Sequence, residues 1–423
     1  MPPAALRPLA VLALALAACG ADAAAPAIDA PPPDAPAADT GPTGPLTLVG
    51  HAPLGLDTAW VGMAIAGDYA YVGHRWPIDA VQIIDLHDPA APAVVGTMAP
   101  DLEVTELHAV ADLARLYVLS TGGLVIAYDL ADPVHPVELG RVTIATVLPH
   151  EMYLWRDPAS PARILGLVTS VANTAPGLHV VDLSSPTAMT ARWAGFAPGV
   201  HGVALAADGV RGFASTLHSG MGVFDASTIT GAGPIAPTMI TSGAAFVNPC
   251  SRAHATCITH SAVEVPDRPL TIVTYENDGV PEGWMDVVDV SDPVTPQIVG
   301  TWRHPRAGEP VSPDLGTFGY GPHNPTTTAH LAVVSWYRAG LMVFDISDPT
   351  HPTPVATFEP TDIAATGQQL WGRVAFVSYP IIKDGLIYVL DGRNGLYVLR
   401  YTGPYHEELD GVRFLEGNSN RGT

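Results

Sequence analysis

The 423-residue sequence predicts an all-β fold, a seven-bladed β-propeller of four-stranded blades closed by its amino-terminal strand. Three observations predict it. A segment of β-forming residues, in its full form followed by an Asp-Pro turn, recurs in seven copies along the chain. Further strand-like segments precede the copies, which makes the unit four strands. The last unit lacks its fourth strand, and the front of the folded region supplies a spare one.

The copies come first, because an internal repeat of this length decides the architecture. Residues 80–95 read AVQIIDLHDPAAPAVV, 123–139 read GLVIAYDLADPVHPVEL, 285–299 read MDVVDVSDPVTPQIV and 340–355 read GLMVFDISDPTHPTPV. Degenerate copies stand at 177–189, 220–229 and 395–403. Each opens with a run of β-formers. Each full copy then turns on Asp and Pro, where Asp side chains cap backbone amides and Pro pre-sets φ. A short strand follows, as in PAVVGTM and PQIVGTW. Upstream lie paired strands such as LHAVADLARLYVLSTGG at 107–123 and GMAIAGDYAYVGHR at 62–75. Four-stranded units recurring every roughly 45–65 residues are the signature of propeller blades. The seventh copy stops at Tyr401 after its third strand, while Leu46–Gly50, LTLVG, matches the VVG and IVG of the other fourth strands. Joining the two closes the ring and removes two sheet edges. The propeller is therefore expected over 46–403, followed by a polar tail, 404–423, that frays.

The residues before 46 are set apart from the fold. One positive charge, Arg7, precedes the apolar run Leu9–Ala18. That run is shorter than the roughly 20 residues needed to span a bilayer, so 1–18 reads as a secretory signal. Leu16-Ala17-Ala18-Cys19 resembles the lipobox of bacterial lipoproteins, which implies lipid attachment at Cys19. Residues 19–45 then form a tether rich in Pro, Ala and Asp, with no aromatic or basic residue, too poor in apolar surface to fold. Gly20, rather than an aspartate, follows the cysteine, so attachment at the outer membrane of the cell envelope is expected over the inner one.

Charge narrows the partners. Nineteen Lys and Arg stand against 41 Asp and Glu, a net charge of −22, which disfavours nucleic acid and anionic lipid surfaces as partners. The membrane is then touched only through the lipid, and the chain is expected to be monomeric. With Cys19 assigned to lipid, Cys250 and Cys257 remain, most simply as a disulfide in an exported chain. A second reading of NPCSRAHATCITH takes Cys250, His254, Cys257 and His260 as zinc ligands, although the spacing fits no common zinc pattern.

The GLxVxDxSDPxxP copies carry a family resemblance. VQIIDLHDPAAP, LVIAYDLADPVHP, MDVVDVSDPVTP and LMVFDISDPTHP resemble the repeats of the LVIVD-repeat proteins, bacterial exported propellers. The resemblance spans about residues 46–403 and implies a fold and an exported location, but no single activity. It is fainter to the selenium-binding-protein type of propeller, whose methanethiol oxidase members use copper held by histidines.

Histidines are the remaining candidate chemistry, 16 in all. Five are expected at the start of a blade's first strand, the strand that lines the channel: His108, His150, His201, His254 and His323. The plainer reading is that each staples its blade to the next by a hydrogen bond to backbone. The alternative is a ring able to hold copper, zinc or iron, with Glu151 as an added oxygen ligand or base. A full ring is wide, so only neighbours such as His201 and His254 are expected to share an ion. His87, His135 and His351 fall in the Asp-Pro turns, where solvation is expected. The acidic stretch Glu276–Asp286 could bind calcium through oxygens, but it lacks the spacing of a calcium loop and reads first as a solvated loop. Trp336 and Tyr337 read first as core, with a place at a channel mouth beside Arg338 as the alternative. No GxSxG, phosphate-binding glycine loop, HExxH or dinucleotide fingerprint is present. The leading functional expectation is thus an envelope propeller that binds or scaffolds an envelope protein or small ligand. The alternative is a histidine-liganded metalloenzyme resembling a copper-dependent oxidase.

Overall fold

The computed structural model describes residues 44–54, 60–74, 80–99, 102–146, 148–173, 176–196, 199–247, 258–276, 283–307, 319–360 and 374–420. The stretches expected to be signal and tether lie outside these residues up to residue 43, as do Cys19, Cys250, His254 and Cys257.

Among the described residues the strands build seven four-stranded antiparallel sheets. Six are runs of consecutive strands. Their first strands are Trp60–Ala66, Val104–Val110, Pro149–Arg156, Gly202–Leu205, Ile258–Val265 and Pro325–Thr327, and we number the blades 1 to 6 in that order. Blade 7 holds Ile381–Lys383, Leu386–Asp391 and Gly395–Tyr401, with Leu46–Ala52 added as its fourth strand. The pairing runs from Leu46 opposite Tyr401 to Ala52 opposite Leu396. The chain is a seven-bladed β-propeller.

Burial shows how the ring closes. Seven apolar clusters each bridge two neighbouring blades, so every blade is cemented on both faces. Blade 7 meets blade 1 through Ile381, Tyr388, Met63 and Ile65. It meets blade 6 through Val389, Leu399, Val333 and Val343. The amino-terminal strand joins this last core through Leu46, which is fully buried beside Tyr401. Leu46→Ala is accordingly expected to cost about 3 kcal/mol in chemical denaturation, the price of a cavity in a closed core. A loss below a few tenths would mean that the strand does not close the ring.

The repeat signature has a local physical cause. In blades 1 to 6 the aspartate ending the third strand accepts the backbone N–H two residues on: Asp85 from His87 at 2.8 Å, Asp129 from Ala131 at 2.9 Å, Asp345 from Ser347 at 2.8 Å. The turn so formed packs on the preceding blade's fourth strand. A Cβ at Gly50 would lie 2.1 Å from the Pro89 carbonyl oxygen, and one at Gly300 2.1 Å from that of Pro349. The glycine of VVG and IVG therefore makes room for the neighbour's turn.

One expectation is reversed. The tail does not fray. Leu409, Glu416, Asn418 and Ser419 are buried, Leu415 bridges Ile382 and Ser419 bridges Leu154. Its polarity misled: the tail satisfies its polar groups on inner strands, as when the Asn420 amide exchanges two 2.7 Å hydrogen bonds with the Arg156 backbone.

Candidate metal centre

The turn aspartates set a common register around the ring. Each lies opposite the start of its blade's second strand: Asp85 opposite Tyr69, Asp129 opposite Arg115, Asp182 opposite Leu165, Asp225 opposite Arg211, Asp289 opposite Leu270, Asp345 opposite Leu331. Those residues in turn face Ala66, Val110, Trp155, Ala206, Val265 and Thr328 near the end of each first strand. In blade 7 Lys383 takes this place opposite Leu386. Counting back five residues from each gives one layer of equivalent positions: Val61, Thr105, His150, His201, His260, His323 and Ser378. The next residue in each blade gives a second layer: Gly62, Glu106, Glu151, Gly202, Ser261, Asn324 and Tyr379.

Both layers reach the axial site because the strand is irregular there. The pairing slips between Trp60 and Gly62, Val104 and Glu106, Pro149 and Met152, and Thr259 and Ser261. A bulge places two residues against one and re-aims their side chains. Regular alternation would send consecutive residues to opposite faces.

Four imidazoles from blades 3 to 6 thereby lie in a row, edge-on or tilted to one another. Ring centres lie 4.2 Å apart for His150 and His201, 3.9 Å for His201 and His260, and 4.1 Å for His260 and His323. Carboxylates flank them. Glu151 Oε1 lies 3.7 Å from His201 Nδ1. Glu276 Oε2, at the end of blade 5's second strand, lies 3.8 Å from both His201 Nε2 and His260 Nε2. Two triads result, His150–Glu151–His201 and His201–His260–Glu276, each with its ligand atoms within 4.8 Å of one another.

Outer contacts orient these groups. His260 Nδ1 is 2.8 Å from Ser261 Oγ, which turns Nε2 toward Glu276. His323 Nδ1 donates to the Val377 carbonyl at 2.5 Å, leaving Nε2 as a lone pair. Tyr337 O–H donates to Glu276 Oε1, and Tyr379 O–H donates to Glu151 Oε2 at 3.2 Å. Such partners fix tautomer and ring direction in metal sites. His201 Nδ1 and His260 Nε2 are buried and have no hydrogen-bond partner among the described residues.

Burial sets the protonation states. It drives His201 and His260 well below the ordinary histidine range, reinforced by the neighbouring imidazoles, and it lowers His323 to about 4. All three are neutral at pH 7 and offer lone pairs, the form that binds metal. Burial likewise raises Glu151 to about 8 against the opposing Tyr379 hydrogen bond, and raises Glu106 to about 8 against the pull of His108. The set of imidazole nitrogens and carboxylate oxygens suits copper, zinc or iron.

The sequence reading is corrected at two histidines. His108 does not stand with the others. It sits three residues deeper than blade 2's equivalent position, where Thr105 lies, and it is fully buried. Its Nε2 bonds the Met152 carbonyl of blade 3 at 2.5 Å and its Nδ1 lies 3.1 Å from Glu416, so it is a blade staple. Blade 5's position is filled by His260, while His254, with Cys250 and Cys257, lies outside the described residues. His150, Glu151, His201 and His323 do come together. Glu106 and Tyr379 were not singled out by the sequence, while Glu276 was read first in a solvated loop and Tyr337 first as core. Counting back from the turn aspartate would have found Glu106; blade 7 has no such aspartate, so only the pairing of Lys383 with Leu386 places Tyr379, and Glu276 arrives from a second strand and carries no repeat signal. The turn histidines His87, His135 and His351 are exposed to solvent, as expected, and also bond their own turn aspartates, Asp85, Asp132 and Asp348.

Comparison with known proteins now bears on the ring. The family model of the LVIVD repeat matches residues 61–99, 280–303 and 332–359, which cover blade 1 and the later strands of blades 5 and 6. The chain is a propeller that carries LVIVD repeats. Among solved structures the LVIVD-repeat chain is similar to the Cps50 (Swd1) β-propeller domain of Myceliophteria thermophila. Identity is 14% and the TM-score 0.53, over 85% of this chain and 100% of that one, a likeness of fold alone. No curated protein matches the sequence.

Proposed function

We propose that this LVIVD-repeat propeller is an exported, lipid-anchored metalloprotein whose axial histidines hold a copper, zinc or iron ion, and that it acts as a metalloenzyme of the cell envelope. One observation carries the reading. On adjacent blades, His201 Nδ1 beside Glu151 and His260 Nε2 beside Glu276 are buried ring nitrogens that no described residue hydrogen-bonds. Burying an unpaired polar atom costs about 1–3 kcal/mol, a penalty that ligation relieves. His323 bonds the Val377 carbonyl as a blade staple would, and the metal reading is placed ahead of the scaffold reading on the two nitrogens that have no such partner.

A bound ion would supply Lewis acidity and, for copper or iron, one-electron chemistry. The chain's own groups supply ligation and a proton. His201, His260 and Glu276 form the natural ligand set, with His150 and His323 beside them. With Tyr379 donating to Oε2, the proton of neutral Glu151 belongs on Oε1, the oxygen that faces His201. Glu151 is thus placed to give up a proton at the site, and a buried acid held near neutrality beside a candidate ligand set is the mark of a working site.

Elemental mass spectrometry of the full chain, purified without a histidine tag, tests this. About one transition metal ion per chain is expected, before or after reconstitution. A chain that stays metal-free under both conditions would return the first place to binding an envelope protein or small ligand. The anchor has its own test: labelled fatty acid fed to expressing cells is expected to mark the wild type and not Cys19→Ser, whose product would leave the membrane fraction.

A further inference from the structure

The two unsatisfied nitrogens belong to different triads. His201 turns Nδ1 to Glu151 Oε1 at 3.7 Å and Nε2 to Glu276 Oε2 at 3.8 Å. The nitrogens of one imidazole are separate ligand positions that diverge in the ring plane. The two carboxylates therefore stand at different edges of one ring. An ion held by His201 Nε2, His260 Nε2 and Glu276 satisfies the buried nitrogen of His260 and leaves His201 Nδ1 as it was. At 3.7 Å the approach of Nδ1 to Glu151 is too long for a hydrogen bond.

The surroundings of His201 are built twice over. On one side stands His150, its ring 4.2 Å away, with Glu151; on the other stands His260, 3.9 Å away, with Glu276. A tyrosine holds one oxygen of each carboxylate: Tyr379 O–H donates to Glu151 Oε2, and Tyr337 O–H donates to Glu276 Oε1. In both cases the other oxygen faces His201. Partners of this kind aim a carboxylate at a metal. The spacing fits as well. Nitrogen and oxygen ligands sit ~2.0–2.2 Å from such an ion, so two of them on one ion stand up to about 4 Å apart. The nitrogen–oxygen separations, 3.7 Å in the first triad and 3.8 Å in the second, lie inside that limit. Only the longest separations, up to 4.8 Å, require the side chains to draw in.

We infer that the axial site is a two-ion centre bridged by His201: the second triad holds the ion of the proposed function through Nε2, and the first triad holds a weaker ion through Nδ1. This rests on the metal reading above and extends it. The weaker ion displaces the Glu151 proton and the one N–H proton of the His201 ring, both of which pass to solvent, as they do when such groups ligate a metal. It also meets the charge of the tighter ion. It therefore enters only when free metal is in excess and leaves on desalting, so the purified chain keeps about one. The shared ring gives the pair a property that neither ion has alone, electronic coupling between the two.

The test is copper(II) binding to the full chain, by equilibrium dialysis against buffered free copper and by electron paramagnetic resonance. Wild type is expected to take up about one ion per chain and then a further one, the second step at free copper at least about tenfold higher because the charges repel. The doubly loaded protein is expected to show the half-field signal of two coupled copper ions, which the singly loaded protein lacks. His150→Ala should keep the tighter step and lose the weaker one together with that signal. His260→Ala should lose the tighter step and keep a single uncoupled ion. A wild type that saturates at one ion would overturn the bridge and make Glu151 an outer partner of His201. Uptake of two ions without coupling would overturn it too, because the added copper then sits elsewhere, and so would a half-field signal that persists in His150→Ala. The wild-type measurements decide the matter even where a variant fails to fold. A chain that takes up no copper, zinc or iron would defeat the metal reading and the bridge together, whereas one uncoupled ion defeats the bridge and leaves that reading standing.

Discussion

Replacing His201 and His260 together by alanine is expected to reduce bound metal from about one ion per chain to less than a tenth, with the propeller still folded. Both rings are buried, and they share Glu276 as a neighbour. Removing them deletes two nitrogens from the second triad and one from the first, so neither triad found among the described residues survives. Folding should persist, since the cavities left behind are offset by removal of two unsatisfied polar atoms. The measurement is a thermal melt with and without metal. At a free metal concentration one hundred times Kd the wild type gains about 2.7 kcal/mol by mass action, and the double variant gains nothing. Equal gains in both proteins would move the metal away from these residues.

The metal-free protein is expected to lose stability as pH rises from about 6.5 to 8, and Glu151→Gln to remove much of that loss. The direction follows from which state holds the protons. Glu106 and Glu151 are raised to about 8 in the folded chain by burial, so between about 4.5 and 8 the folded state keeps protons that the unfolded state has released. Stability then falls with rising pH, by about 1.4 kcal/mol per pH unit for each such proton. His201, His260 and His323 act oppositely: burial lowers them, so the unfolded state binds their protons first on acidification, and stability falls as pH drops from 6.5 toward 4. Below 6.5 the two groups offset one another, and above it the carboxyls act alone. Glu151→Gln keeps the hydrogen bond from Tyr379 and removes the titration. Its expected gain over wild type is on the order of 2 kcal/mol at pH 8, read by urea denaturation in chelator at both pH values. The same change should weaken metal binding at pH 8, where wild-type Glu151 can ionise. A variant whose pH slope equals that of wild type would show that Glu151 is ionised in the folded chain.

The expected trade between stability and binding has a simple origin. The inner layer of this propeller holds polar groups where neighbouring blades bury apolar ones, and an ion that needs those groups restores what their burial cost. The same argument explains why His108, which is equally buried, plays a different part: both of its nitrogens already have partners, Met152 and Glu416.

Much of the molecule was legible in the linear chain. Strand periodicity, the Asp-Pro turns and the VVG glycines are local features, each enforced by contacts within a blade or with the next, so they repeat in sequence wherever the fold repeats. The spare strand Leu46–Gly50 was legible for the same reason, since it had to match the fourth strands it imitates. His150, Glu151, His201 and His323 were recognisable because they recur in the repeat frame. Only the tertiary structure decided the rest. AHAT and ITHS in blade 5 both place a histidine near a strand start, and the register of Val265 on Leu270, not the motif, selects His260. Glu276 and Glu416 reach the axis from a second strand and from the tail, at sequence distances that no repeat encodes. The reason is physical: a repeat records interactions between neighbours, whereas an axial site is made by residues from many blades that meet only when the ring has closed.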